Sequence, residues 1–233
     1  MATPTGVSVL DTMLNGGLPE QRAVLLIGGP GTGKTTMGMQ FLQDGIERGE
    51  ECLFVSTEQT PGELADSFAP YDFDLDDENL SIETVHATTG STVDSQEPEL
   101  VLNSLGDQPR AGDAHDNGDG RDTPMGGFST PFTGEFVMEA LEHYAPCDRV
   151  VFDSVSGLEA IAEDDQVFRR AVLDFIRLFT DRFGATAILT AEETSRSLGG
   201  DGGTSGMLQF NTHGVIRLWR EQIDGDYHRF VQI

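Results

Sequence analysis

An α/β fold with a mostly parallel central sheet, covered by helices on both faces, follows from three observations. Apolar runs of strand length recur along the chain and alternate with stretches of helical spacing, the signature of a parallel sheet buried on two sides. The early runs, Ala23–Ile27 and Cys52–Ser56, are continuous and not alternating, as fully buried strands require. The last two strand-like segments flank Asp224-Gly225-Asp226, a hairpin signal that predicts an antiparallel C-terminal edge. At 233 residues the chain has the length of a single domain.

Residues 7–14 predict a short helix ended by Asn15-Gly16-Gly17. The strand Ala23–Ile27 follows, then a helix from Lys34 to about Glu47, then the strand Cys52–Ser56. Thr60-Pro61-Gly62-Glu63 combines a cap, a proline at the first helical position and a reciprocating glutamate, so a helix starts there. Residues 82–86 predict a third strand. Composition changes near Ser95, and residues 106–127 carry six glycines and five aspartates, too little apolar matter to order. That stretch is expected to be a mobile acidic insertion, with a short helix near Glu99–Leu105.

Thr130-Pro131 is a second cap-then-proline start, for a helix with Phe136, Val137, Ala140, Leu141 and Tyr144 on its apolar face. The strand Arg149–Asp153 ends in an acid. Phe168, Val172, Phe175, Phe179 and Phe183 recur every three or four residues and mark the core stripe of a long helix. Thr186–Thr190 is a strand, Ser195–Gly206 a glycine-rich loop, and residues 214–219 and 228–233 are the closing strands.

Forty acidic residues stand against fourteen basic ones, for a net charge of −26. The basic side is thirteen arginines and one lysine, Lys34. A surface so short of lysine suits a salt-rich cytoplasm, where counter-ions screen self-repulsion. The same charge disfavours unaided binding to nucleic acid, because no basic stripe exists to neutralise phosphates. Neither a signal segment nor an apolar run of membrane-spanning length is present, so the expected setting is cytoplasmic. Cys52 and Cys147 lie in apolar stretches and offer neither a metal spacing nor a disulfide framework.

Gly28-Gly29-Pro30-Gly31-Thr32-Gly33-Lys34-Thr35 matches the phosphate-loop pattern G-x-x-x-x-G-K-[ST], placed between a strand and a helix. Its glycines let consecutive N–H groups turn inward around a phosphate, and the helix dipole adds to them. Gly28 to Thr36 are therefore the candidate nucleotide contacts. Lys34 reaches the β- and γ-phosphates, and the Thr35 hydroxyl ligates Mg²⁺. The one lysine in the chain is the one this chemistry needs. Asp153, at the carboxyl end of its strand, is the candidate second Mg²⁺ residue. Glu58 is the candidate general base for attack of water on a γ-phosphate. Gln59, which can position water, Ser154, with capping of the next turn as its alternative, and Glu192 are auxiliary candidates.

Together these segments resemble the RecA superfamily, and within it archaeal ATPases similar to the circadian-clock protein KaiC. The resemblance rests on Leu10-Asp11-Thr12-Met13-Leu14-Asn15-Gly16-Gly17-Leu18-Pro19, the phosphate loop, Gln40-Phe41-Leu42, Val55-Ser56-Thr57-Glu58-Gln59-Thr60-Pro61, residues 149–158, Thr190-Ala191-Glu192 and Gly214-Val215-Ile216-Arg217-Leu218. It implies a RecA-like P-loop domain binding ATP and Mg²⁺, with assembly into a ring, often hexameric, and a channel loop at Ser195–Gly206. Three departures stand out: Gln59 where a second glutamate is usual, His213 where an aspartate is usual, and an end at Ile233, before the usual Lys-Met-Arg segment. The last departure leads to an expectation of low ATPase activity, with Arg196 as the first substitute cation and Arg217 and Arg220 next. The leading reading is a slow ATPase whose nucleotide state regulates self-assembly or a protein partner. The alternative is a non-catalytic signalling or scaffold module. DNA recombination or repair follows from superfamily analogy alone.

Overall fold

Apolar runs that alternate with amphipathic ones have one stable arrangement, in which the runs pair side by side and the helices cover both faces. In the computed structural model the described residues are 1–89, 98–104, 134–162, 164–193 and 204–233. A two-stranded ladder, β1 (Ala2–Thr3) with β2 (Leu18–Pro19), brackets the short helix α1 (Ser8–Met13). The main strands are β3 (Ala23–Gly28), β4 (Cys52–Ser56), β5 (Leu80–Thr89), β6 (Pro98–Ser104), β7 (Arg149–Asp153), β8 (Thr186–Glu192), β9 (Val215–Ile223) and β10 (Asp226–Gln232). They form one sheet in the order β10-β9-β3-β8-β7-β4-β5-β6. Its six inner strands are parallel, and β10 and β6 are antiparallel edges.

The helices are α2 (Lys34–Ile46), α3 (Pro61–Phe68), α4 (Gly134–Leu141), α5 (Val155–Ile161), α6 (Asp165–Arg177) and α7 (Thr204–Asn211). Leu25, Ile27, Val150, Phe152 and Leu189 of the sheet pack against the Phe168–Phe183 stripe of α6 and its π-helical extension. Val24, Leu26, Phe54, Val151 and Ile188 point the other way, onto Leu10, Met39, Leu42, Leu64 and Phe68 of α1, α2 and α3. The α3 start has the expected capping box, with the Thr60 side chain accepting from the Glu63 N–H and Glu63 accepting from the Thr60 N–H. Helix α2 sits close on β7, and a Cβ added at Gly38 would fall 2.8 Å from a Val151 methyl. That close approach fixes the helix after the phosphate loop against the strand that carries Asp153.

Two sequence expectations are corrected. Residues 98–104 form a strand, not a short helix, because the free edge of β5 takes them into an antiparallel ladder from Glu83↔Ser104 to Thr89↔Pro98. The Ser195–Gly206 loop ends earlier than its composition implies. Helix α7 begins at Thr204, anchored by Leu208, which is buried in the α6-side layer. The insertion expected at 106–127 and the helix start at Thr130-Pro131 lie outside the described residues. Both cysteines are buried, and burial pushes the Cys147 thiol up to about 12. Among the described residues no helix is long and apolar enough to cross a membrane.

A net charge of −26 opposes compaction when little salt is present. The thermal midpoint is therefore expected to rise as KCl goes from about 0.1 M to about 2 M, with compactness lost below roughly 0.5 M. A calorimetric midpoint that stays flat across that range would contradict the halophilic reading.

Candidate functional site

β3 ends at Gly28, and the chain turns through residues 29–33 before α2 begins at Lys34. Gly33 holds φ +103°, a left-handed value that disfavours any side chain. As the residue before α2 it contributes no side-chain cap, which leaves the first-turn N–H groups for a ligand. Thr32 turns inward, and its hydroxyl donates to the Gly29 carbonyl at 2.8 Å. The Lys34 ammonium donates to the carbonyls of Gly28 and Gly29 at 2.9 and 3.2 Å, so it already lies beneath the loop. Thr36 follows in the first turn of α2, half-buried.

Asp153 ends β7 and is only 4% exposed. The Thr35 hydroxyl donates to its Oδ2 at 2.8 Å, and the Thr190 hydroxyl of β8 donates to its Oδ1. The Asp153–Ser154 peptide is cis, and the Thr57 hydroxyl donates to the Ser154 carbonyl at 2.7 Å. Ser154 in turn hydrogen-bonds the Glu58 carboxylate through its own hydroxyl. Glu58 is exposed, two residues past the end of β4. Lys34, Thr35, Asp153, Ser154 and Glu58 thus converge at the carboxyl ends of β3, β4 and β7. This is the crevice where open α/β sheets bind ligands.

A family model described as the KaiC ATPase matches residues 3–233. The chain belongs to the KaiC ATPase family. A UPF0273 protein of Pyrococcus horikoshii is 30% identical over 229 residues, which cover 97% of this chain and 81% of that protein. A UPF0273 protein of Thermotoga maritima is 27% identical over 229 residues, covering 97% and 82%. The crystal structure of a KaiC-like protein from Pyrococcus horikoshii matches with a TM-score of 0.70 at 22% identity, covering 99% of this chain and 86% of that one. That likeness shows a shared fold.

Within this KaiC-family site some expected residues stand apart. The Gln59 side chain turns away to the Ser67 hydroxyl of α3, at 3.1 Å. Glu192 is level with Gly28 on the neighbouring strand, but its side chain is exposed and its N–H donates to Ser156. Arg196 lies outside the described residues. His213 sits at the amino end of β3, bonded to the Ala23 backbone, far along the strand from the loop. Thr190 was not singled out by sequence reasoning. Its signal is a hydroxyl near the carboxyl end of a central strand, adjacent to the strand that carries the acid. The residues present fit a Mg·nucleotide. A metal ion could take the Thr35 hydroxyl and the buried Asp153 carboxylate as donors, and the Lys34 ammonium lies among carbonyls beneath the loop. Among the described residues no cluster of three or more His, Cys, Asp or Glu offers a rival metal site.

Burial is the largest influence on Asp153 and pushes its carboxyl above the ordinary range. Hydrogen bonds from Thr190 and Thr35 pull it down, the Glu58 charge adds to the rise, and Lys34 opposes it. A carboxyl raised on folding contributes stability below its unfolded value, about 3.9, and loses it as pH climbs through the folded value. Above the folded value, where the side chain is ionised, it therefore opposes folding of the nucleotide-free protein. Asp153→Asn is expected to raise the thermal midpoint by a few degrees, ~1 kcal/mol corresponding to roughly 2–4 °C at this size. The gain should shrink as pH is lowered toward about 4. A lower midpoint for the variant at neutral pH would mean that the carboxylate is net stabilising.

Proposed function

We propose that this chain binds Mg·ATP at Gly28–Thr36 and hydrolyses it slowly, and that its nucleotide state governs assembly into a ring or engagement of a protein partner in a salt-rich cytoplasm. The observation that carries this reading is the hydrogen bond from Thr35 to the buried carboxylate of Asp153, directly after a glycine loop with its lysine already in place. Mg²⁺, when bound, would neutralise phosphate charge and orient the phosphates, with Thr35 and Asp153 holding it. Lys34 exchanges its loop carbonyls for phosphate oxygens, and the loop N–H groups bind the remaining ones. Glu58 accepts a proton from the attacking water as the new P–O bond forms and the bond to the β-phosphate bridge breaks, releasing ADP and phosphate. Its hydrogen bond with Ser154 orients the carboxylate for that role.

Steady-state ATP hydrolysis in molar KCl tests the assignment. Glu58→Gln is expected to lower turnover by roughly 10²–10⁴-fold while Mg·ATP affinity is retained. Equal turnover by the two proteins would remove Glu58 from the reaction. A second reading, a non-catalytic nucleotide-dependent module, draws on the side chain of Gln59, which turns to α3 and away from the loop. Its mark would be assembly driven by ATP binding with no difference between wild type and Glu58→Gln.

A further inference from the structure

The hairpin of β9 and β10 carries two arginines side by side at the margin of the phosphate loop. Arg220 stands directly opposite Arg229, flanked by the pairs Leu218↔Val231 and Gln222↔Tyr227. Opposite residues of an antiparallel pair project from the same face, and so do residues two apart along a strand. Leu218 and Val231 pack into the apolar layer beneath α2, so both arginines stand on the α2 side of the sheet. The loop leaves β3 on that same side. Register places Leu218 level with Gly28, and Arg220, two residues on, level with the loop itself. Its guanidinium reaches the loop: a Cβ placed on Gly31 lies 3.6 Å from Arg220 Nη1 and 3.8 Å from its Cζ. The Tyr227 ring lies under the same guanidinium, 5.8 Å from its centroid.

Like charges directly opposite on paired strands are destabilising. Carboxylates are plentiful in this chain, with forty acids in all. Arg48, Arg149, Arg177, Arg182 and Arg217 each have one within ion-pair distance. Among the described residues Arg220 and Arg229 have none, nor do Arg22, Arg169 and Arg170, but Arg220 and Arg229 stand directly opposite each other on paired strands. Arg217, on the other face of β9, forms an ion pair with Glu193 at 3.1 Å. Among the described residues these two cations, one of them against the phosphate loop, lack a counter-anion, and a polyphosphate is the anion whose site adjoins them.

We propose that Arg220 and Arg229 form a clamp, supplied by the same subunit as the loop, for the terminal phosphate oxygens of the bound nucleoside triphosphate. The proposal rests on the Mg·ATP reading above. The guanidinium forks match phosphate oxygens in pairs, and the Tyr227 face holds Arg220 in place for them. The clamp adds positive charge beside the transferred phosphoryl group, where negative charge grows during hydrolysis.

The test is binding by the full chain at one fixed high salt concentration, comparing wild type, Arg220→Gln, Arg229→Gln and the double variant. The probes are a non-hydrolysable ATP analogue, ADP, adenosine and inorganic tripolyphosphate. Arg177→Gln, which removes one positive charge on α6, serves as the control for each single variant. The double variant is expected to lose about tenfold or more in affinity for the triphosphate analogue and tripolyphosphate, less for ADP, and none for adenosine. Its thermal midpoint should stay or rise, since a like-charge neighbour is relieved. An unchanged ratio of triphosphate to diphosphate affinity overturns the clamp. So does an equal loss for adenosine, which would assign the pair to the base or to hairpin packing. If wild type binds no Mg·ATP, the underlying reading falls and the clamp with it. If wild type binds, Lys34→Ala does not, and the arginine variants match wild type, the clamp alone is wrong.

Discussion

Lys34→Ala is expected to weaken Mg·ATP binding by roughly a hundredfold or more, the loss of ~3 kcal/mol of charge-assisted hydrogen bonding. The ammonium is held under the loop by the carbonyls of Gly28 and Gly29, so it needs little reorganisation to meet phosphate oxygens. No other lysine exists in the chain to replace it. The loss to the fold should be small, because Lys34 is only half-buried and water can take its place at the two carbonyls. Titration calorimetry with a parallel thermal scan separates the two effects. Affinity equal to wild type would place the phosphates somewhere other than this loop.

Arg149→Ala is the substitution expected to cost the fold most, on the order of 3–5 kcal/mol. Arg149 opens β7 and is fully buried, with its guanidinium 4.8 Å from the centre of the Phe41 ring. It forms ion pairs with Asp44 and Glu50 and donates to the carbonyls of Pro4 and Phe41 at 2.9 and 2.8 Å. One side chain therefore ties the N-terminal segment, α2, the approach to β4 and the start of β7. Truncation leaves the Glu50 carboxylate and two carbonyls without their donor beside an empty volume, while Asp44 keeps Arg48 alone. Arg149→Met keeps most of the volume and should cost less, since Asp44 and Glu50 are near enough to solvent to rehydrate. Urea unfolding at constant molar KCl checks both. A loss under about 1 kcal/mol for the alanine variant would show that the network is nearly balanced by its desolvation cost.

Much of this molecule was legible in its sequence because the deciding forces were local. Ala23–Ile27 and Cys52–Ser56 are too apolar to lie anywhere but a sheet centre, the Thr60–Glu63 cap has one geometry, and the Phe168–Phe183 spacing permits one buried face. The glycine loop could be read for the same reason. What escaped depends on partners distant in the chain. Residues 98–104 became a strand because β5 offered a free edge, a fact absent from their own composition. The closing strands run further than their apolar cores suggest, since Arg220–Ile223 are held by the ladder and not by burial. Thr190 touches Asp153 only because β8 and β7 are neighbours in register. The pairing of Arg220 with Arg229 likewise needs the hairpin turn fixed at Asp224-Gly225, both at positive φ.

The single tryptophan of the chain, Trp219, stacks on Phe230 with ring centroids 5.4 Å apart, and its indole N–H donates to Glu221. It lies on the edge hairpin, on the opposite face from Arg220 and one residue away from it, remote from the central layers. Emission from this indole therefore reports on the hairpin. A fluorescence titration with nucleotide reads movement of that strand directly, without an attached dye. In denaturant the same signal will shift early if the edge frays first, and circular dichroism will then lag behind it. Coincident curves from the two probes would show that the hairpin unfolds together with the rest of the sheet.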